Sequence, residues 1–195
     1  METVVKNGSN GNTLKIDDYG RALTLSVSES ISEAGGRLGD TYNVNTGLIN
    51  LTNSSKSAVL YFENNDVRDV EISIIGFLLG NSTGGSGDMN LDVDLNVTSG
   101  TIISTATPTQ IYSNKNAGSK KSITSNAYKG FQGATASGGI GAYTSLLNSA
   151  TRQYAISTGL IVLPKGSNMC VYVTPQTGNT SMNCEVFLSV IHSLE

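Results

Sequence analysis

The stretch that most constrains the fold is SAVLYFENNDVRDVEISIIGFLLG, residues 57–80, where two β-type apolar runs flank a polar turn. Val70, Ile72 and Ile74 alternate with Asp69, Glu71 and Ser73, a period of two that puts one face of a strand against a core. From Ile74 to Leu79 the alternation gives way to an almost continuous apolar run broken only by Gly76. Such a run fits a strand that is covered on both faces or carries a bulge. With Asn64, Asn65 and Asp66 supplying turn chemistry, the pattern predicts a central hairpin of residues 58–62 and 70–79.

The same pattern recurs along the chain. Strand signals fall at 43–51, 58–64, 69–79, 90–97, 100–103, 121–128, 153–163, 168–174 and 182–192, with Gly, Asn, Ser and Thr between them. Eight or nine short strands without a βαβ unit predict an all-β fold, an antiparallel β-sandwich of the jelly-roll kind. One helical hint, residues 142–153, puts Leu146, Leu147 and Ala150 on one side inside a glycine-rich excursion at 130–151. At 195 residues the chain has room for one good-sized domain and an extension. The expected division is an N-terminal arm or small hairpin with linker at 1–40 and the sandwich at 41–195. DDYG at 17–20 supplies the hairpin turn. SESISEAGGRLGD (28–40) is broken by glycine and reads as a linker, or as an arm that orders on a partner.

Composition narrows the function classes. Charged residues make up 14% of the chain and the formal net charge is −3, so neither a nucleic-acid footprint nor an acidic tail is expected. No run of eighteen apolar residues exists, so no membrane-spanning helix is expected. METVVKNGSNGN lacks the apolar segment of a secretory signal, and the chain is expected to stay in the cell that makes it. Cys170 and Cys184 are expected to be free thiols on opposite sides of a sheet, with a cross-strand disulfide as the alternative.

Several constellations bear on chemistry, and each has an ordinary structural explanation. Asp92, Asp94 and Asn96 begin like a calcium loop, but Val97 stands where that loop needs glycine and no glutamate closes it. GNSTGGSGD (80–88) has the first spacing of a phosphate-binding loop in Gly80 and Gly85, yet Ser86 replaces its lysine and no helix follows. Lys115, Lys120 and Lys121, near Tyr112 and Tyr128, are too few for nucleic acid. His192 is the only histidine; no nucleophile motif accompanies it, and a zinc site with Cys170 and Cys184 lacks a fourth ligand. The carboxylate pairs Asp17/Asp18 and Glu29/Glu33 sit in turn or linker sequence rather than across a cleft. With no Trp in the chain, Tyr143 is the aromatic to watch for sugar binding. No catalytic, cofactor or metal residue is therefore expected, and the chain is not expected to be an enzyme.

Five stretches, TYNVNTGLINLTNSSKSAVLYFENN (41–65), GNSTGGSGD (80–88), AYKGFQGAT (127–135), LPKGSNM (163–169) and PQTGNTSM (175–182), together resemble a family of uncharacterised virion structural proteins of tailed bacteriophages. The resemblance runs from about Lys15 to the C-terminus and rests on turns and strands. It implies a β building block of the virion, made in the host cytoplasm: a capsid decoration or cement protein bound to the major capsid protein lattice. A neck, tail or fibre module that binds a receptor or glycan is the alternative it leaves open. The family supplies no catalytic or ligand residues to carry over. A homotrimer is expected from the local threefold positions of an icosahedral shell.

Overall fold

A computed structural model describes residues 3–6, 13–16, 22–23, 31–52, 54–84, 87–104, 107–109, 111–112, 116–148, 153–156, 161–179 and 181–193. The chain forms two compact units, Met1–Ser30 and Ile31–Glu195. The first holds a three-stranded antiparallel sheet in the order β1 (Thr3–Lys6), β2 (Thr13–Ile16), β3 (Ala22–Leu23). Lys15 pairs with Leu23 and Ile16 with Ala22, which fits the small hairpin expected around DDYG, although its turn residues lie outside the described ones.

The second unit begins ten residues earlier than the division expected from sequence. Residues 31–38 are not linker but an amphipathic helix, α1 (Ile31–Leu38). Gly39, at φ 79°, ends it in the left-handed conformation that glycine adopts at low cost. The Asp40 amide then donates to the Gly35 carbonyl at 2.8 Å, turning the chain into the sandwich.

The strands that follow are β4 (Thr41–Asn45), β5 (Ile49–Leu51), β6 (Ser57–Asn64), β7 (Val70–Thr83) and β8 (Met89–Leu95). After the short helix α2 (Thr101–Ser104) come β9 (Thr107–Pro108), β10 (Ile111–Tyr112), β11 (Ser125–Lys129), β12 (Ile140–Leu147), β13 (Gln153–Ile156), β14 (Ile161–Leu163), β15 (Asn168–Pro175) and β16 (Ser181–His192). One sheet runs β10-β4-β16-β7-β13, with β5 also on β16 and β14 also on β7; the other runs β12-β8-β15-β6-β11-β9. The pairings nest. β4 and β5 pair with β16, β6 with β15, β7 with β13 and β14, and β8 with β12. First with last, inward to a central pair, is a long hairpin rolled across two sheets, which is the jelly roll.

That wrap overturns the central hairpin. β6 and β7 are consecutive but lie in different sheets, because the turn between them crosses from one layer to the other. Their apolar runs still meet, face to face across the core. The expected strand at 100–103 is instead α2, and the helical hint at 142–153 falls on β12. Short alternating apolar runs do not distinguish a single helical turn from a strand, and here sheet pairing decided both cases. The 153–163 signal is two strands on one side of β7, with residues 157–160 outside the described ones.

The main core fills the space between the sheets. Tyr42, Phe77, Leu188 and Val190 contribute from one side, and Phe62, Leu91, Val93 and Val171 from the other. A second, smaller core lies on the opposite face of the six-stranded sheet, where Ala58, Tyr61, Cys170 and Tyr172 are covered by Val97, Ile102 and Ala134. The cover is pinned by backbone bonds: the Ala58 amide donates to Ala134 O at 2.8 Å and the Ile102 amide to Thr135 O at 3.2 Å. So within the glycine-rich excursion the segment around Ala134 and Thr135 is a lid on the sheet and Ile140–Leu147 is an edge strand.

The bulge expected where the alternation breaks is present, as a register shift of β7 against β16 between Ile72 and Ile74, while Gly76 itself is required by packing. A Cβ there would come within 1.9 Å of the Phe187 ring, which lies over it from the paired position on β16. Gly76→Ala is expected to lower stability by about 1–2 kcal/mol, since the partly exposed Phe187 ring can swing aside. Chemical denaturation checks this; an unchanged midpoint would contradict it.

Candidate functional site

Five charged or titratable side chains from separate segments converge at one end of the sandwich: Asp40 before β4, Asp66 and Arg68 between β6 and β7, Lys121 before β11, and His192 at the end of β16. Backbone pairing builds the convergence, since the His192 amide donates to Asp40 O at 2.9 Å. Asn64 shapes the β6–β7 connection: its Oδ1 accepts from the Asp66 amide, and its Nδ2 donates to Arg68 O and Leu163 O.

Asp40, only 4% exposed, accepts from Arg68 Nη2 at 3.1 Å through one oxygen and from Lys121 Nζ at 2.6 Å through the other. Burial alone would raise its pKa; the hydrogen bonds and charges of Lys121 and Arg68 outweigh that and hold the carboxyl below its usual value. Asp66 follows the same logic, its desolvation outweighed by backbone amides of Thr124, Arg68 and Val67 and by His192. The His192 ring, 1% exposed, accepts at Nδ1 from the Arg68 guanidinium, and its Nε2 lies 3.3 Å from Asp66 Oδ2. Since Arg68 can only donate, Nδ1 carries no proton and the neutral ring holds its hydrogen on Nε2, toward Asp66. Burial, then the Arg68 charge, push the His192 pKa down against the pull of Asp66 and Asp40. Tyr42 stands edge-on to the ring at 5.2 Å between centroids.

Two acids are thus matched by two cations around a neutral imidazole. Both carboxylates are engaged, and among the described residues no serine, threonine or cysteine is hydrogen-bonded to His192. The chemistry available to this arrangement is that of a closed ion network joining four segments. Its acid response follows from the shifts. Because the folded His192 pKa is depressed, the unfolded chain takes up a proton near pH 6.5 that the native state refuses. Stability is therefore full above that pH and falls as pH drops through it. Asp40 and Asp66 add stability above about pH 4 that is lost as pH falls toward their depressed values. The melting temperature is expected to fall between about pH 7 and pH 5, and His192→Asn is expected to abolish that portion while keeping the loss at lower pH. A flat wild-type profile over that range would contradict the assignment.

Of the residues singled out from sequence, Lys121 and His192 meet in this network through Asp40, and the other described ones lie outside it. Asp92 is ion-paired to Lys56 at 3.0 Å and accepts from Thr144 Oγ1 at 2.9 Å on the outer sheet face. The Lys56 ammonium also sits 4.3 Å from the Tyr172 ring centre. β7 continues through Thr83, so GNSTGGSGD is strand and inter-strand connection; Gly85 and Ser86 lie outside the described residues. Of the three lysines, Lys121 joins the ion network, Lys120 is exposed, and Lys115 is outside the described residues. Asp17, Asp18 and Glu29 are likewise outside them, and Glu33 lies in α1. Tyr143 is no exposed platform: it is half-buried on β12 and packs against the main core. Tyr128 lines an open groove of about 360 Å³ with Pro108, Thr109, Ile123 and Asn126, all uncharged.

Cys170 and Cys184 are both free and buried, but they occupy different sheets rather than two faces of one. Cys170 is in the smaller core and Cys184 in the main one. Burial pushes each thiol up to about 12, leaving almost no thiolate at neutral pH. Native protein is expected to leave a thiol-specific disulfide reagent unreacted at pH 8, with both cysteines titrating after denaturation. Rapid native labelling would refute the packing.

Among the described residues no helix is long and apolar enough to cross a membrane. Comparison with protein-family models finds none that matches the chain, and comparison with curated proteins finds no match either.

Proposed function

We propose that the chain is a structural component of a tailed-phage virion, a capsid decoration or cement protein that binds the lattice of the major capsid protein as a homo-oligomer. The observation that carries this is the jelly roll itself, preceded by a separate N-terminal unit. In the sandwich the buried charges are spent on closing the fold, and the surface is polar with few charges. A particle-surface protein held by shape rather than by strong charge needs such a scaffold, and the separate unit suits a docking arm. The resemblance of residues 41–65, 80–88, 127–135, 163–169 and 175–182 to virion structural proteins points the same way, and a trimer would match the local threefold sites of a shell. No enzymatic step is part of this role.

Copy number tests it. Quantitative mass spectrometry of purified particles is expected to find on the order of hundreds of copies per particle. About six or twelve copies would move the protein to the neck or tail, and absence from washed particles would overturn the proposal.

A further inference from the structure

Burial fixes the charge balance of the network at Asp40. Two carboxylates, Asp40 and Asp66, face two cations, Arg68 and Lys121, around the neutral His192 ring, and the sum is zero. Arg68 stands between an acid and a base: its Nη2 donates to Asp40 Oδ1 at 3.1 Å and to His192 Nδ1. His192 Nδ1 itself lies 3.8 Å from the same Asp40 oxygen. The guanidinium and the ring thus share one acceptor, and a proton on Nδ1 decides between them.

We infer that protonation of His192 expels the Arg68 guanidinium to solvent, Nδ1–H taking its place on Asp40 Oδ1 while Nε2–H stays toward Asp66. A protonated Nδ1 has no lone pair left for Arg68 and becomes a competing donor. Keeping both cations inside would bury a net positive charge without a partner, which is costly. The exchange avoids this, because one charge enters as one leaves and the buried sum stays at zero. Exposure selects the cation that leaves. The Arg68 side chain is 29% exposed, against 1% for His192 and 4% for Asp40. Lys121 is more exposed still, but it holds the far oxygen of Asp40, and its departure would leave Arg68 against the new N–H. The turn itself has no need to move: Asn64 holds Arg68 O through Nδ2 and the Asp66 amide through Oδ1, both at 2.9 Å.

Among the described residues no further charge faces the ring. Tyr42 on β4 stands edge-on to it. Val70 is the residue opposite His192 on β7, and Glu71 turns to the other face, where it accepts from Ser193 Oγ. Asp69 meets β16 through its backbone, which accepts from the Ser193 amide. α1, which carries Glu33 and Arg37, packs over Ile191 on that other face as well. The ring's resistance to protonation, set by burial and then by the Arg68 charge, fits a proton that must displace a guanidinium. In acid this end of the sandwich therefore presents a cation that it hides at neutral pH, beside the exposed Val67. The device is independent of any place in a particle.

A nitrogen-15 NMR titration of the full chain from pH 8 to about pH 5 tests it, and the sole histidine gives one imidazole to follow. At pH 8 the ring is expected in the Nε2–H tautomer, and Arg68 is expected to show two separate Nη resonances, since a held guanidinium rotates slowly. As the ring takes up its proton, the two Nη resonances are expected to merge with the same midpoint. In Arg68→Met the ring is expected to titrate closer to the ordinary histidine range, because no guanidinium has to leave. The wild-type measurement stands whether or not that variant folds. Nη resonances that stay separate through the ring's titration, an Nδ1–H tautomer at pH 8, a ring that stays neutral until the chain unfolds, or a midpoint unmoved in folded Arg68→Met would overturn the inference.

Discussion

Replacing Asp40 with alanine is expected to destabilise the sandwich by about 3 kcal/mol, the lower end of the cost of removing one partner from a buried ion pair, because the Arg68 side chain keeps 29% exposure. Asp40 is 4% exposed and accepts from both Arg68 and Lys121, so its loss strands the Arg68 guanidinium beside the neutral His192 ring. The partners should not cost the same. Lys121 is 48% exposed, and Lys121→Ala is expected to cost at most about 1 kcal/mol, as solvent screens exposed ion pairs. Arg68→Ala should fall between them, because Asp40 keeps Lys121 while His192 Nδ1 loses its donor. Chemical denaturation of the three variants measures the ranking. An Asp40→Ala variant as stable as Lys121→Ala would mean that the cluster does not tie the segments together.

The second large effect is expected at Gly130. A Cβ there would lie 1.8 Å from Ala58 O and 3.1 Å from Val59 Cα, both backbone of a central strand. The Gly130 amide also donates to Val59 O at 3.0 Å, so the chain cannot back away without losing that bond. Gly130→Ala is expected to cost about 3 kcal/mol or more, at the upper end for overpacking. Its cost should exceed that of Gly76→Ala, where a side-chain ring is the obstacle. Since Gly130 leads into the segment covering Cys170, the variant should also speed Cys170 labelling relative to Cys184. Equal stability to wild type would show that residues 130–137 do not clamp the sheet as described.

How far these features were legible in sequence differs by kind. Period-two runs carry the β class and the inward faces directly at Val70–Ile72 and Leu91–Leu95, because side chains of a strand alternate between faces, but both runs lose register beyond, at the bulge between Ile72 and Ile74 and at Asn96, whose φ of 55° precedes a Val97 that packs in the smaller core. Which strands pair is not local information, so β6 and β7 looked like a hairpin although the wrap sends them to opposite sheets. α1 was masked by its glycines: Gly35 and Gly36 weaken helix propensity, yet a Cβ at Gly35 would come within 2.9 Å of Ile191 Cγ2. The ion network was invisible for a related reason. Asp40, the Asp66/Arg68 turn, Lys121 and His192 are far apart in sequence and each looks like turn or surface polarity by itself. A single histidine ending an apolar strand was the one available signal, and it indicated burial without naming its partners. Tyr143 went the other way, since a loop assignment exposed a ring that strand pairing turns toward the core.

The jelly-roll scaffold and the proposed place in a particle meet in one observation. Under the proposed function, cryo-electron microscopy of purified particles should show two-sheet sandwich density repeated at symmetry-related sites on the capsid surface, contacting the major capsid protein. A complete shell without that density would contradict the proposal.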